Sequence, residues 1–121
     1  METAHDPRTV PPLTPAVFHI LLALAEGERH GYGIMQEVAA LTDGGLRLGP
    51  GTLYGTIKRL LTAGLVEEVE ERSDPILGDE RRRYYRLTDL GCKVVRTEAR
   101  RLESLVGAAR RKRLLSPEGG A

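Results

Sequence analysis

The residues best suited to chemistry lie in one short segment, residues 50–63, with the sequence PGTLYGTIKRLLTA. At helical spacing this segment has two unlike faces. One face is apolar and holds Leu53, Ile57, Leu60 and Leu61, and the other is small, polar and basic and holds Thr52, Gly55, Thr56, Lys58 and Arg59. The apolar spacings of 3 and 4 residues predict a stripe that packs on a core. Threonine hydroxyls form hydrogen bonds and the two cations attract anions, so the second face is suited to close contact with a negatively charged partner.

Catalytic and metal-binding patterns are missing from the sequence. The three histidines and Cys92 do not have the spacing of metal ligands, and neither HExxH nor CxxC occurs. The glycine-rich segment at residues 44–51 lacks the Lys and the Ser or Thr of a phosphate-binding loop. We therefore predict a binding protein that is not an enzyme and needs no metal or cofactor.

Length and charge narrow the class of protein further. A chain of 121 residues can form one domain with a buried core and no disulfide. The single Cys and the lack of an apolar run of about 18–20 residues predict a cytoplasmic protein that does not span a membrane. Net charge is only +1, yet residues 81–113 carry 12 basic and 3 acidic side chains. Such a local excess is typical of a protein with a polyanionic partner or of a solvated helix face.

The elements that must position the basic face can be predicted from capping and periodicity. Prolines at 15 and 50 begin two helices, Gly64 ends the second of these, and Thr14 and Thr88 are N-caps. The helices are expected at residues 15–27, 31–42, 50–63 and 89–113, and the strands at residues 46–48, 65–72 and 81–88. In the second helix we expect Ile34, Val38 and Leu41 to point inward, His30 to start it and Tyr32 to pack beside the first helix.

The last helix carries an apolar heptad seam, which is typical of a helix that packs along another helix. The seam residues are Cys92, Val95, Ala99, Leu102, Val106 and Ala109, and Leu105 widens it. Such a seam predicts a homodimer, and the alternative is a helix that folds back onto its own domain.

The order of helix, helix, short strand, helix, strand, strand and helix is that of a winged helix-turn-helix. In such proteins the second helix of the pair enters the DNA major groove, and its N-terminal residues contact base edges. Threonine suits base edges, Gly55 permits a close approach, and Lys58 and Arg59 can reach phosphates. Arg81, Arg82 and Arg83 would lie at the tip and base of the wing, where they could contact phosphates or the minor groove.

Three sequence blocks also resemble the PadR family of transcriptional regulators. They are LTPAVFHILLALAEGERHGYGIMQEV, LGPGTLYGTIKRLLTAGLVEE and RRRYYRLTDLG, and together they run from Leu13 to Gly91. The resemblance implies a winged-helix domain, a homodimer formed through a single C-terminal helix, and a repressor of transcription. It also implies that Tyr54 lies at the DNA-facing end of its helix, with a hydroxyl suited to a phosphate. A small-molecule effector would bind at the dimer interface.

From these observations we expect four regions: a disordered lead at 1–12, a winged-helix DNA-binding domain at 13–88, a dimerisation helix at 89–113 and a disordered tail at 114–121. The main rival is a winged-helix module that binds protein instead of DNA. Glu67, Glu68, Glu70 and Glu71 favour the rival because carboxylates repel phosphates. We expect these acids to face away from DNA or to pair with the arginines of the second strand.

Overall fold

The part of the chain that the structure describes consists of four helices and a three-stranded antiparallel sheet. This computed structural model describes residues 13–73 and 81–116, and the side chains of these residues except 70–73 and 81–82. The elements are α1 (Pro15–Ala23), β1 (Arg29–His30), α2 (Gly31–Leu41), α3 (Pro50–Thr62), β2 (Val66–Ser73), β3 (Arg81–Leu87) and α4 (Asp89–Arg111). The mainly helical fold with a hairpin is the one that the sequence predicts. The expected lead, the hairpin tip and most of the expected tail lie outside the described residues.

Side-chain caps begin three of the helices. The Thr14 hydroxyl accepts a hydrogen bond from the Val17 N–H at 3.3 Å, and the Thr88 hydroxyl accepts one from the Gly91 N–H at 3.0 Å. At the start of α2, His30 Nδ1 accepts from the Gly33 N–H at 2.9 Å. Each bond satisfies a backbone donor that has no partner inside its helix. The predicted roles of Thr14, His30 and Thr88 are confirmed.

The sheet differs from the prediction in its shortest strand. Residues 46–48 form no strand, and Leu48 instead packs into the core. The third strand is β1, whose Arg29 and His30 pair with Tyr85 and Tyr84 of β3, so that the strand order is β1-β3-β2. A strand of two residues is too short to show alternation, and its pairing depends on a segment more than fifty residues away in sequence.

Several element boundaries and orientations also need correction. α1 ends at Ala23, earlier than the expected Gly27, and α4 ends at Arg111 instead of Arg113. Leu41 was expected in the core but is 46% exposed. Tyr32, which was expected to pack beside the first helix, is 48% exposed.

The start of α4 is fixed to the end of α3. The Thr88 hydroxyl donates to the Gly64 carbonyl at 2.6 Å, and the Thr88 N–H donates to the Leu65 carbonyl at 3.1 Å. A Cβ on Gly91 would overlap the Leu65 carbonyl oxygen, so only glycine allows this approach. The orientation of α4 relative to α3 is therefore set by backbone contacts.

Candidate nucleic-acid interface

α3 is held on the core by one stripe and ends at a glycine cap. Leu53, Ile57 and Leu60 are each no more than 4% exposed, and they anchor the helix. Gly64 has a φ of +79°, and the Leu65 N–H reaches the Leu60 carbonyl at 3.0 Å. This is the Schellman ending that the sequence predicts. Because one side is fixed in the core, the opposite side faces solvent along the whole helix.

The surface of α3 carries most of the residues selected from the sequence. Thr52, Tyr54, Lys58 and Arg59 are exposed, and Gly55 is half-buried. A Cβ added to Gly55 would meet no heavy atom within 4 Å, so the backbone there is open to an approaching surface. These five positions form a cationic face on which only Thr52 and Gly55 have small side chains.

Thr56 does not belong to this face, and its prediction as a DNA-contacting residue is wrong. It is 1% exposed and lies in the buried stripe between Leu53 and Leu60. Its hydroxyl accepts a hydrogen bond from Arg59 Nη2 at 3.2 Å. The sequence contained the signal, because Thr56 is three residues after Leu53 and four before Leu60, which are core spacings. Its polar side chain hid that periodicity.

Tyr54 lies at the edge of this face, beside the start of α2. It is 47% exposed, and its ring and hydroxyl occupy the space that a side chain at position 31 would need. A glycine at Gly31 is thus required for Tyr54 to take this position. The pair brings a phenolic hydroxyl to the surface between α2 and α3.

The base of the hairpin is a network of opposite charges. Arg86 Nε donates to Glu67 Oε2 at 2.6 Å, and Arg83 Nε lies 3.5 Å from Glu68 Oε2. Both pairs are substantially exposed, so each contributes little to stability, but each partly neutralises its arginine. The expected pairing of acids with second-strand arginines is confirmed for these two. The side chains of Arg81, Arg82, Glu70 and Glu71 lie outside the described residues.

The two hairpin tyrosines differ in burial. Tyr85 is 5% exposed, and burial, with a smaller contribution from Glu68, raises the pKa of its hydroxyl. The Tyr84 ring is half-buried and packs edge-on against the His30 ring, with 5.3 Å between centroids. β3 therefore packs into the core through Tyr85 and contacts the start of α2 through Tyr84 and His30.

Carboxylate pairing divides the described cations into two groups. Arg29, Arg83, Arg86 and Arg101 have carboxylate partners within 4.0 Å. Among the residues that the structure describes, no carboxylate lies within that distance of Arg47, Lys58 or Arg59. The cations on and just before α3 therefore have no described carboxylate partner, a property that they share with exposed cations of α4 such as Arg100.

The predicted seam on α4 is only partly free. Val95 is 8% exposed and packs mainly in the core of its own domain, although it also lines the cavity beside Cys92 and Ala99, so its predicted place in an interface stays a prediction. It lies on the inward stripe with Gly91, Val94 and Glu98. Ala99, Leu105 and Val106 are exposed, and Cys92, Leu102 and Ala109 are half-buried. Apart from Cys92, the remaining seam residues form an apolar strip from Ala99 to Ala109.

A residue that sequence reasoning missed extends this strip onto α1. Leu22 is 37% exposed and, with Ala25, Leu87, Cys92 and Ala99, lines an open cavity of about 260 Å³. The sequence of α1 contained a signal for this exposed leucine, because its apolar residues occur on more than one side of the helix. A helix that is buried on one side only leaves some of those residues uncovered.

A second missed feature is the buried carboxylate of Glu98. Glu98 Oε2 accepts from Arg101 Nη2 at 2.6 Å, and Oε1 accepts from Arg101 Nε at 3.0 Å. This bidentate pair holds the pKa of Glu98 below its usual range, with a contribution from the Leu13 backbone. The sequence signal for this buried carboxylate is that Glu98 continues the spacing of the inward-facing residues Gly91, Val94 and Val95.

Within residues 13–73 and 81–116 no group of three or more His, Cys, Asp or Glu side chains is arranged to hold a metal ion. In the same residues no helix is both long and apolar enough to cross a membrane.

Comparison with known proteins gives a family match over most of this fold. Residues 20–97 match the description "Transcriptional regulator PadR-like family". The chain is 39% identical over 87 residues to the transcriptional regulator Rv3488 of Mycobacterium tuberculosis, covering 72% of this chain and 75% of that protein. It is 38% identical over 88 residues to an uncharacterized 37.1 kDa protein in transposon TN4556 of Streptomyces fradiae. That match covers 73% of this chain but only 23% of the relative.

Solved structures share the fold. The crystal structure of Bacillus subtilis PadR in complex with operator DNA superposes with a TM-score of 0.59 at 21% identity. The superposition covers 70% of this chain and 46% of that one. At this identity the likeness establishes the winged-helix fold.

Proposed function

Since the chain belongs to the PadR-like family of transcriptional regulators, we propose that it binds operator DNA as a homodimer and represses transcription. In this proposal α3 enters the major groove, and the β2–β3 hairpin is the wing. The observation that carries the proposal is the exposed face of α3, where Lys58 and Arg59 lie beside an open Gly55 with no described carboxylate partner. That Bacillus subtilis PadR was solved with operator DNA supports the same ligand class for this chain.

Each face residue has a distinct role in the proposal. Thr52 lies in the first turn of α3, where side chains of a recognition helix contact base edges. Gly55 allows the helix backbone to sit deep in the groove. Tyr54, Lys58 and Arg59 contact phosphates or base edges at the groove walls.

The wing would contact DNA mainly through its distal part. Arg83 and Arg86 share their charge with Glu68 and Glu67, which lowers their attraction for phosphate. Arg81 and Arg82 are closer to the hairpin tip in sequence and remain the proposed wing contacts.

The dimer would form mainly through the C-terminal half of α4, together with Leu22 of α1. Leu102, Leu105 and Val106 supply the apolar strip, with Cys92, Ala99 and Ala109 along its length. A two-fold dimer would present two α3 helices about one turn of DNA apart. Residues 13–88 would then be the DNA-binding domain and 89–113 the dimerisation helix of a cytoplasmic regulator, with an effector, if any, at the dimer interface.

A salt titration tests DNA binding. Affinity is measured by fluorescence anisotropy for a duplex from the region upstream of the protein's own gene and for a random duplex of equal length. With about 6–10 phosphate contacts, affinity should fall by about 10³–10⁵ between 50 and 200 mM salt. Lys58→Ala should weaken binding to both duplexes, whereas Arg100→Ala, which removes an exposed cation from α4, should not.

Absence of binding at 50 mM salt would overturn the proposal and favour the protein-binding module. Repression is tested separately, by transcription in vitro from the same upstream fragment. Transcript yield should fall as the protein is added, and an unchanged or increased yield would contradict a repressor.

A further inference from the structure

A groove of about 390 Å³ opens on the surface between α2 and the turn that leads into α3. It is lined by Tyr32, Met35, Gln36, Ala39, Arg47 and Leu48. The half-buried or buried Met35, Ala39 and Leu48 form its floor, and the exposed Tyr32, Gln36 and Arg47 form its rim. The groove thus combines an apolar base with a rim of three hydrogen-bond donors, one of them permanently charged.

The groove lies beside the N-terminus of α3. Arg47 and Leu48 come directly before Gly49, the N-cap of α3, and Tyr32 and Gln36 lie in the first half of α2. In a helix-turn-helix the second helix enters the major groove while the first helix crosses the phosphate backbone. A groove between the first helix and the start of the second therefore faces the backbone at the edge of the major groove.

The turn after α2 holds Arg47 in place. Gly44 has a φ of +79°, and its N–H donates to the Ala39 carbonyl at 2.8 Å. A Cβ on Gly44 would lie 3.1 Å from Arg47 Nη2, so the guanidinium lies directly over this glycine. Within the part of the chain that is described, no carboxylate pairs with Arg47. The guanidinium therefore lies over the turn, with no described carboxylate within 4.0 Å of it.

We propose that this groove binds a backbone phosphate of the DNA, outside the contacts made by α3 and the wing. Arg47 forms the ion pair, and the Gln36 amide and the Tyr32 hydroxyl donate hydrogen bonds to the same phosphate. The proposal rests on the proposed function, which it extends by one phosphate on each half-site. It gives Tyr32 and Arg47 a role that their exposure would otherwise leave unexplained.

The test compares Arg47→Gln with Arg100→Gln in the full-length protein, on the same upstream duplex and the same random duplex. Arg47→Gln should weaken binding to both duplexes by about tenfold for each half-site, because a charge-assisted hydrogen bond is lost there and a phosphate carries no sequence information. The slope of log affinity against log salt should become shallower by about one for each half-site. Arg100→Gln should change the affinity by no more than about twofold and leave the slope unchanged, since it removes an equal charge far along α4.

A second variant tests the groove by repulsion. Gln36→Glu places a carboxylate at the rim and should weaken binding to both duplexes more than Gln36→Ala does. All four side-chain changes lie at exposed positions, so thermal unfolding should be unchanged.

The outcomes separate this inference from the function on which it rests. If wild-type protein binds DNA but Arg47→Gln keeps the wild-type slope and affinity, the groove proposal is wrong and the proposed function stands. Equal effects of Gln36→Glu and Gln36→Ala would also overturn it. If wild-type protein binds neither duplex at 50 mM salt, both proposals fail together.

Discussion

The hydroxyl of Thr56 accepts a hydrogen bond from Nη2 of Arg59 at 3.2 Å, although Thr56 is buried and Arg59 is exposed. The bond joins the core side of α3 to its outer face. It gives a buried hydroxyl a partner and restricts the guanidinium of a long, flexible side chain. Thr56 would therefore affect DNA binding through Arg59 and not by touching a base.

Thr56→Val tests this relationship, because valine keeps the β-branched shape and removes the hydroxyl. The free energy of unfolding should change by less than about 1.5 kcal/mol, the range of one net hydrogen bond. Affinity for both the upstream and the random duplex should fall several-fold, as measured by fluorescence anisotropy. An unchanged affinity in Thr56→Val, alongside a reduced affinity in Arg59→Ala, would show that Thr56 does not position Arg59.

Gly55→Ala should affect stability and DNA binding in opposite directions. Alanine inside a helix is favoured over glycine by about 0.5–1 kcal/mol, and no atom stands within 4 Å of the new methyl group. The same methyl group would separate the α3 backbone from DNA and lower the affinity. Urea unfolding would measure the gain in stability, and fluorescence anisotropy would measure the loss of affinity. Gly107→Ala on α4 is the matched control, and it should raise stability without changing DNA affinity. Equal affinities for the two variants would refute a close approach of DNA at Gly55.

Leu105→Glu should convert the proposed dimer to a monomer without unfolding the domain. Leu105 is 55% exposed in a single chain, so the substitution disrupts nothing within it. Sedimentation should show a monomer with a wild-type circular dichroism spectrum, and DNA affinity should fall with the loss of the second half-site. Ser104→Glu, one residue away, should remain dimeric. A dimeric Leu105→Glu would remove the α4 strip from the proposed interface.

The Glu98–Arg101 pair should make stability depend on acidic pH. The folded-state pKa of Glu98 lies below its unfolded value of about 4.3, so the ionised carboxylate stabilises the fold above that pH. This contribution is lost as pH falls through the folded pKa. In urea unfolding, Glu98→Gln should be less stable than wild type at pH 7, and the difference should shrink below about pH 4.5. A constant difference across the range would mean that the ionised state of Glu98 does not contribute.

Local signals in the sequence determined most of the secondary structure and the family. The caps at Thr14 and Thr88, the proline at position 50 and the ending at Gly64 were predicted because each depends on atoms within one helical turn. The stripe of Leu53, Ile57 and Leu60 followed from periodicity. The three sequence blocks that carry the family resemblance lie on these same elements.

Tertiary structure alone decided which polar and apolar residues are covered. Val95 lies at the edge of the α4 stripe, where a period of 3.6 residues fits both a buried and an exposed position. Its burial depends on what packs beside it, just as the pairing of β1 with β3 and of Arg83 with Glu68 depends on segments distant in sequence. The groove at Arg47 has the same origin, since two separate segments form its walls. A sequence records local preferences directly, whereas contacts between distant segments exist only once the chain has folded.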